Sequence, residues 1–235
     1  MLESFKILFG RSKPHIAFTI ATDPPSMYFN FKIREEKLEQ FEKMLNLPPG
    51  FKLTKIRTLL DDTEEYYWLT TNVYRVSGLT NGLRAECSVY VEDPEGRKRY
   101  MIVKAHTDKK SMDPINIVTK PSHLEYTFQE NRLSIFLSAD EKCYFKVEGA
   151  LPEVKSMVFA AREWIQANDE IYWLNGVYDK PYYNGQMACA KLIHIPPDQL
   201  KLENTTEWSE YIEPEPQIVM FPSGHEYLVS PWWNI

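Results

Sequence analysis

The strongest constraint on the fold is a strict alternation in residues 83–91, LRAECSVYV. Leu83, Ala85, Cys87, Val89 and Val91 fall on one side of an extended chain, and Arg84, Glu86, Ser88 and Tyr90 fall on the other. The segment does not stand alone. Residues 15–21, 27–33, 52–60, 66–76, 99–106, 123–128, 132–138 and 143–149 also read as strands, and a further one is expected around 186–195. Turn-forming groups separate them: Asp23-Pro24-Pro25-Ser26, Asp61-Asp62-Thr63-Glu64-Glu65, Asn81-Gly82, Asp93-Pro94-Glu95-Gly96 and Glu130-Asn131. Asn-Gly is a strong hairpin signal. Aromatic residues, which favour strands, reach 14%.

Two stretches depart from the period of two. Residues 34–45 place Leu38, Phe41 and Leu45 at helical spacing and end before Pro48-Pro49-Gly50. Residues 152–167 predict the main amphipathic helix: Pro152 suits a first turn, and Val154, Met157, Val158, Ala161, Trp164 and Ile165 share one face. About ten short strands with one such helix imply an α+β fold, predominantly antiparallel β. The expected form is a barrel or cone-shaped sheet enclosing a pocket. No repeat or low-complexity linker divides residues 1–235, so a single domain is expected. Residues 1–14 form an N-terminal segment and 222–235 an aromatic C-terminal tail.

Several function classes are excluded on composition. A net charge of −6 offers no general attraction to phosphate backbones, so nucleic acid is not an expected partner. Glu3, Lys6, Arg11, Lys13 and Pro14 interrupt the first twenty residues, and no window approaches a membrane span. Cys87, Cys143 and Cys189 are isolated, without CxxC, which suggests neither disulfide framework nor zinc knuckle and points to a reducing, cytoplasmic setting. GxGxxG, Walker and GxSxG sequences are missing, so no cofactor is expected, and Ser223-Gly224-His225 reads as a turn. His106, Asp108, Asp113 and His123 fall in no recognised ligand spacing, and no metal is expected. The terminal Trp232-Trp233 either plugs the pocket or packs against another subunit of a homo-oligomer.

Residues 104–114, KAHTDKKSMDP, carry the most chemistry. Lys109 and Lys110 adjoin at the end of an expected strand. A lysine amine attacks carbonyls only when neutral, and at an unperturbed pKa of about 10.4 only about one in 2,500 is neutral at pH 7. Burial or a second ammonium alongside raises that fraction. The alternative is a solvated loop pair. Arg84 and Glu86 are the second constellation, sharing one face of their strand, with Arg75 and Asn72 on the strand before. Facing the interior, Glu86 can act as acid or base, and Arg84 or Arg75 can bind a carboxylate in a bidentate way. Facing water, the pair is worth little.

The layout resembles the acetoacetate decarboxylase family. The similarity runs from about Phe29 to Pro222: YFNFKIREEKLEQF leading to a Pro-rich bend, VYRVSGLTNG and ECSVYVED as hairpin strands, the Lys-Lys loop, and LEYTF–QENR–LSIFL. The resemblance implies a β-cone with a Schiff-base lysine at Lys110, or alternatively Lys109, its neighbour lowering the amine pKa. Two departures stand out. Thr107-Asp108 replaces the family's Tyr-Pro before the lysines, and Lys104-Ala105-His106 stands where the family carries Arg-Glu. A carboxylate at Asp108 would stabilise an ammonium. Three readings follow: a decarboxylase-like lyase acting on a β-keto acid; the same fold performing lysine-based aldolase or dehydratase chemistry on keto acids; or a non-catalytic β-barrel binding an apolar small molecule.

Overall fold

The computed structural model describes residues 16–21, 24–57, 63–78, 82–108, 123–138, 142, 144–151, 157–159, 161–174, 183–187, 191–221 and 226–230. In chain order the first strands are β1 (Ile16–Ala21), β2 (Ser26–Lys32), β3 (Lys52–Leu53), β4 (Ile56–Arg57), β5 (Glu65–Tyr66) and β6 (Trp68–Gly78). Then come β7 (Gly82–Glu92), β8 (Lys98–Thr107), β9 (His123–Gln129), β10 (Arg132–Ser138), β11 (Tyr144–Ala150) and β12 (Met157–Phe159). The last are β13 (Glu170–Trp173), β14 (Tyr183–Met187), β15 (Lys191–Ile195), β16 (Leu200–Asn204), β17 (Gln217–Phe221) and β18 (Glu226–Ser230). Among the described residues two α-helices, α1 (Leu38–Leu45) and α2 (Arg162–Ala167), accompany them.

Twelve strands form one sheet in the order β12-β15-β17-β2-β6-β1-β18-β14-β13-β8-β7-β3, with β6 also pairing to β7. Every pairing is antiparallel except β13 with β8. The sheet branches at β6, which takes β2 along residues 68–73 and β1 along residues 75–78, while β7 lies on its other edge. The expected closed barrel is therefore not found among the described residues: β12 and β3 remain as edges, because β6 feeds a wing of strands as well as the curved run from β1 to β7. A second sheet, β16-β11-β10-β9, packs on the first.

The helix expected over 152–167 is corrected. Among the described residues of that range only Arg162–Ala167 is helical, and Met157–Phe159 is a strand, with Phe159 opposite Lys191 in β15; residues 152–156 and 160 lie outside the described residues. The apolar residues there fit a 3.6 period, but β15, remote in sequence, pairs with Met157–Phe159 and satisfies their backbone as strand. The longest described helix is α1, whose Phe41 and Leu45 are buried. The Phe41 ring meets Trp208 at 5.9 Å and Tyr211 at 5.5 Å. Its end is set by Asn46, left-handed at φ 50°, whose N–H bonds the Glu42 carbonyl.

Both faces of the main sheet are covered, which is why residues 82–91 of β7 are buried without alternation. Leu83, Ala85, Cys87, Val89 and Val91 join Leu124, Tyr126, Ile135, Leu137, Phe145 and Val147 of the second sheet in one core. The opposite face carries Tyr28, Tyr74, Tyr90, Tyr100, Trp164, Trp173 and Phe221 in another. Each fully buried aromatic or aliphatic side chain contributes about 1.5–3 kcal/mol. Hairpin chemistry holds the registers. Glu130 and Asn131, both left-handed at φ 50° and 61°, make the two-residue turn between β9 and β10. The buried Asp93 carboxylate accepts the Glu95 N–H at 3.0 Å, the Arg97 N–H at 2.9 Å and Arg97 Nε at 2.8 Å, shaping the β7–β8 turn. Where β11 passes β16, Gly149 has no room for a side chain: a Cβ would lie 2.5 Å from the Gln199 carbonyl oxygen. No helix among the described residues is long and apolar enough to cross a membrane.

Candidate functional site

Strand parity decides where the charged residues of β7 go. Residues directly opposite one another in a sheet share a face. Glu86 lies opposite Asn72 on β6 and Ala105 on β8; Arg84 lies opposite Tyr74 and Thr107. Since Tyr74 and Ala105 belong to the aromatic core, Arg84 and Glu86 project into that core rather than into water. Each side chain is only 5% exposed. Arg84 Nε donates to Glu86 Oε1 in a close ion contact. Moving two charges out of water costs several kcal/mol per ion, so a buried pair is a poor device for stabilising a fold. Its presence points to a use.

The surroundings are polar in a graded way. Asn72, opposite Glu86, accepts a hydrogen bond at Oδ1 from Ser26 Oγ at 3.1 Å, and Ser26 is itself buried. Farther along, a chain of bonds is complete: Asn30 Nδ2 donates to the Gln217 carbonyl at 3.3 Å, Thr70 Oγ1 donates to Asn30 Oδ1 at 2.8 Å, and Thr70 and Tyr90 hydroxyls stand 3.4 Å apart. Trp164 Nε1 of α2 donates to Tyr90 Oη at 2.7 Å and its ring meets Tyr28 edge-on at 5.5 Å, so the helix closes this end of the face. Between the two groups lie Ser88 and Tyr100. Both hydroxyls are buried, close to one another. Burial holds the Tyr100 phenol well above its ordinary pKa, with the charges of Tyr90 and Glu86 adding to it and the neighbouring Ser88 hydroxyl, turned toward the phenol, offsetting part of it.

Arg75 does not join the group. It is exposed, and it sits opposite Leu83, which puts it on the face away from Asn72, Arg84 and Glu86. Lys109 and Lys110 lie outside the described residues. What precedes them is well anchored: Asp108 Oδ1 accepts the Leu83 N–H at 2.9 Å, and Asp108 N donates to the Leu83 carbonyl at 3.3 Å. The carboxylate expected to oppose an activated amine is thus engaged with backbone, and β8 leads toward residue 109 from the Arg84 end of the ion pair. Ser26 and Tyr100 were not among the expected site residues. Parity alone would have marked Ser88 beside Glu86, whereas Tyr100 needs the register of β8, which shifts at a bulge between Cys87 and Ser88.

The other face of β7 and β8 holds a second polar cluster. Thr71, Cys87, Lys104, His106, Thr206, Glu207 and Trp208 line a cavity of about 10 Å³, room for about one water molecule. Lys104 Nζ contacts Glu207 Oε1 at its rim. Burial lowers the His106 pKa to about 4, Lys104 lowering it further and Glu207 opposing, and burial pushes the Cys87 thiol up to about 12. Neither group is poised for catalysis near neutrality. Among the described residues, no three His, Cys, Asp or Glu side chains converge to hold a metal.

No family model matches the sequence, and no curated protein matches it significantly. Solved structures do. The chain is similar to a crystal structure of acetoacetate decarboxylase from Legionella pneumophila, with a TM-score of 0.58 and 12% identity, covering 97% of this chain and 92% of that one. It is similar to a second acetoacetate decarboxylase structure at TM-score 0.53 and 12% identity, covering 93% and 88%. An acetoacetate decarboxylase-like enzyme from Sphingomonas wittichii RW1 gives 0.50 and 8%, covering 91% and 89%.

Proposed function

Proceeding from this acetoacetate decarboxylase-like fold, we propose that the chain is a decarboxylase-like carbon–carbon lyase that acts on a β-keto acid through a lysine Schiff base. The observation that carries the reading is the Arg84–Glu86 pair, buried on the aromatic face at the end of β7 from which β8 leads to Lys109 and Lys110. Lys110, neutral beside the Lys109 ammonium, adds to the ketone; loss of water gives the protonated imine. The carbon–carboxylate bond then breaks, its electron pair passing into the imine as carbon dioxide leaves. Glu86, protonated from solvent for this step, passes that proton to the resulting enamine carbon and is again a carboxylate, and water then adds to the iminium to release the ketone and the amine. Arg84, oriented by Glu86, receives the substrate carboxylate, and Asn72 borders the same face. Arg75 has no part in this arrangement.

The test is imine trapping. The protein is mixed with acetoacetate and longer β-keto acids, borohydride is added, and the adduct is mapped by peptide mass. A substrate-derived adduct on Lys110, lost in Lys110→Ala, is the expected result, accompanied by carbon dioxide release. An adduct without carbon dioxide would move the chemistry to the aldolase or dehydratase class. No adduct at any lysine of the folded protein sinks the lysine mechanism.

A further inference from the structure

We propose that the outer face of the second sheet is a self-complementary interface on which two copies of this chain stack. The inference stands apart from the lysine chemistry. The sheet β16-β11-β10-β9 buries one face against the main sheet and leaves the other half-buried or exposed. Register arranges that outer face in rows across the strands. One row reads Glu125, Phe136, Lys146, Glu203, and the next reads Thr127, Ser134, Glu148, Lys201. Charge therefore alternates both along and across β11 and β16. Lys146 Nζ pairs with Glu148 Oε2 at 3.0 Å and Lys201 Nζ with Glu203 Oε1 at 3.0 Å, yet the four side chains stay 34% to 74% exposed. Within one chain such pairs contribute little. Across an interface the same pattern selects a register, because like charges brought face to face are penalised.

The face is also uneven. At one end the Phe136 ring meets His123 at 5.5 Å and Tyr144 at 6.2 Å, a cluster of three rings on the solvent side. Toward the hairpin turn the face opens into a hollow of about 570 Å³, lined by Thr127, Gln129, Arg132, Ser134, Glu148 and Gly149. One symmetry operation answers both features. A twofold axis in the plane of the contact, at right angles to the strands and between the two rows, lays each row on the other row of the second copy. Lys146 then faces Glu148, Glu203 faces Lys201, and Phe136 comes over Ser134 in the hollow. Glu125 meets the neutral Thr127. A twofold along the strands would instead set Glu125 against Glu203, so charge favours the first arrangement. It also leaves the stacked strands nearly aligned, a common geometry of sheets packed face to face, and an isologous contact closes at two copies.

Four strands about 4.8 Å apart and about seven residues long present roughly 450 Å² of sheet per copy. About 900 Å² in all lies at the weak end of specific interfaces, so a dissociation constant on the order of 10 μM is expected. Sedimentation velocity of the full chain from about 1 to about 200 μM, at about 0.05 M and about 0.5 M salt, is the test. The wild type should pass from monomer to dimer across that range, with a midpoint raised at least about threefold by the higher salt. Lys146→Glu sets a carboxylate against Glu148 twice per dimer and should raise the midpoint at least about tenfold. Adding Glu148→Lys restores opposite charges at the facing positions and should return the midpoint to within about threefold of wild type. Ser134→Trp fills the hollow and should leave monomer throughout. Circular dichroism shows which variants are folded; should Ser134→Trp fail to fold, the charge reversal and its rescue decide alone. Monomeric wild type at every concentration would overturn the proposal. So would an assembly that ignores the variants, or a double variant no better than Lys146→Glu.

Discussion

Lowering the pH should destabilise this protein through one imidazole by a calculable amount. His106 is buried between the two sheets, and its pKa falls from 6.5 to about 4, chiefly because burial penalises the charged ring. The Lys104 ammonium acts in the same direction and Glu207 against it, with the neutral Cys87 thiol on the same cavity wall. The folded pKa lies below the unfolded one, so between about pH 6.5 and 4 the unfolded chain binds more protons. Stability is then lost as pH falls through that window. From the two pKa values the loss is about 2 kcal/mol at pH 5, growing to about 3 kcal/mol at pH 4. Carboxylates add a background slope of their own. His106→Gln removes the imidazole and leaves that background, so the difference between wild type and variant isolates the effect. Urea unfolding of both proteins at pH 7.5, 6 and 5 is the assay. The wild type should lose about 2 kcal/mol relative to the variant between pH 7.5 and 5. Parallel stability curves, or a His106 titration midpoint near 6.5 by NMR, would refute the reasoning.

Two other perturbations test the buried chemistry and the packing. Arg84→Met or Glu86→Leu alone should cost about 3–5 kcal/mol by stranding the partner's charge, while the double variant should recover most of it, because an apolar pair carries no desolvation penalty. Additive losses in chemical denaturation would show that the two charges are not coupled. Gly149→Ala, whose Cβ would meet the Gln199 carbonyl oxygen at 2.5 Å, should cost about 1–3 kcal/mol. An unchanged thermal midpoint would mean that β16 moves aside freely.

Much of the sheet is legible in the sequence because alternation and turn chemistry are local. The strands β7, β8, β10 and β11 fall where LRAECSVYV, RYMIVKAH and their neighbours put them, and the two-residue turn at Glu130-Asn131 joins β9 to β10. Local pattern fails where pairing is remote. The run 186–195 reads as one strand, yet its two ends serve different neighbours: Tyr183–Met187 lies beside β13 and β18, and Lys191–Ile195 beside β12 and β17. The helical period over 152–167 misleads for the same reason. At the site, parity within β6 already separates Arg75 from Asn72, since odd spacing puts them on opposite faces. Which face of β7 meets the aromatic core cannot be read locally, because the strand is covered on both sides. Arg84 and Glu86 therefore look like a solvent-facing pair until the registers of β6 and β8 are known.

The pairing of β1 with β18 sets a schedule for the growing chain. Ile16 lies opposite Ser230, and the next wing repeats the pattern, with Met27 of β2 opposite Met220 of β17. Roughly two hundred residues separate such partners, which at about 5–20 residues per second is roughly 10–40 s of synthesis. Throughout that interval β1 and β2 can pair with β6 on one side but lack β18 and β17 on the other. They present open hydrogen-bonding edges to other nascent chains. Joining β1 to β18 in the main sheet therefore waits until residue 230 has left the ribosome. Any truncation before residue 226 would leave β1 and β14 as edges, making the shortened chain a substrate for chaperones rather than a smaller version of the protein.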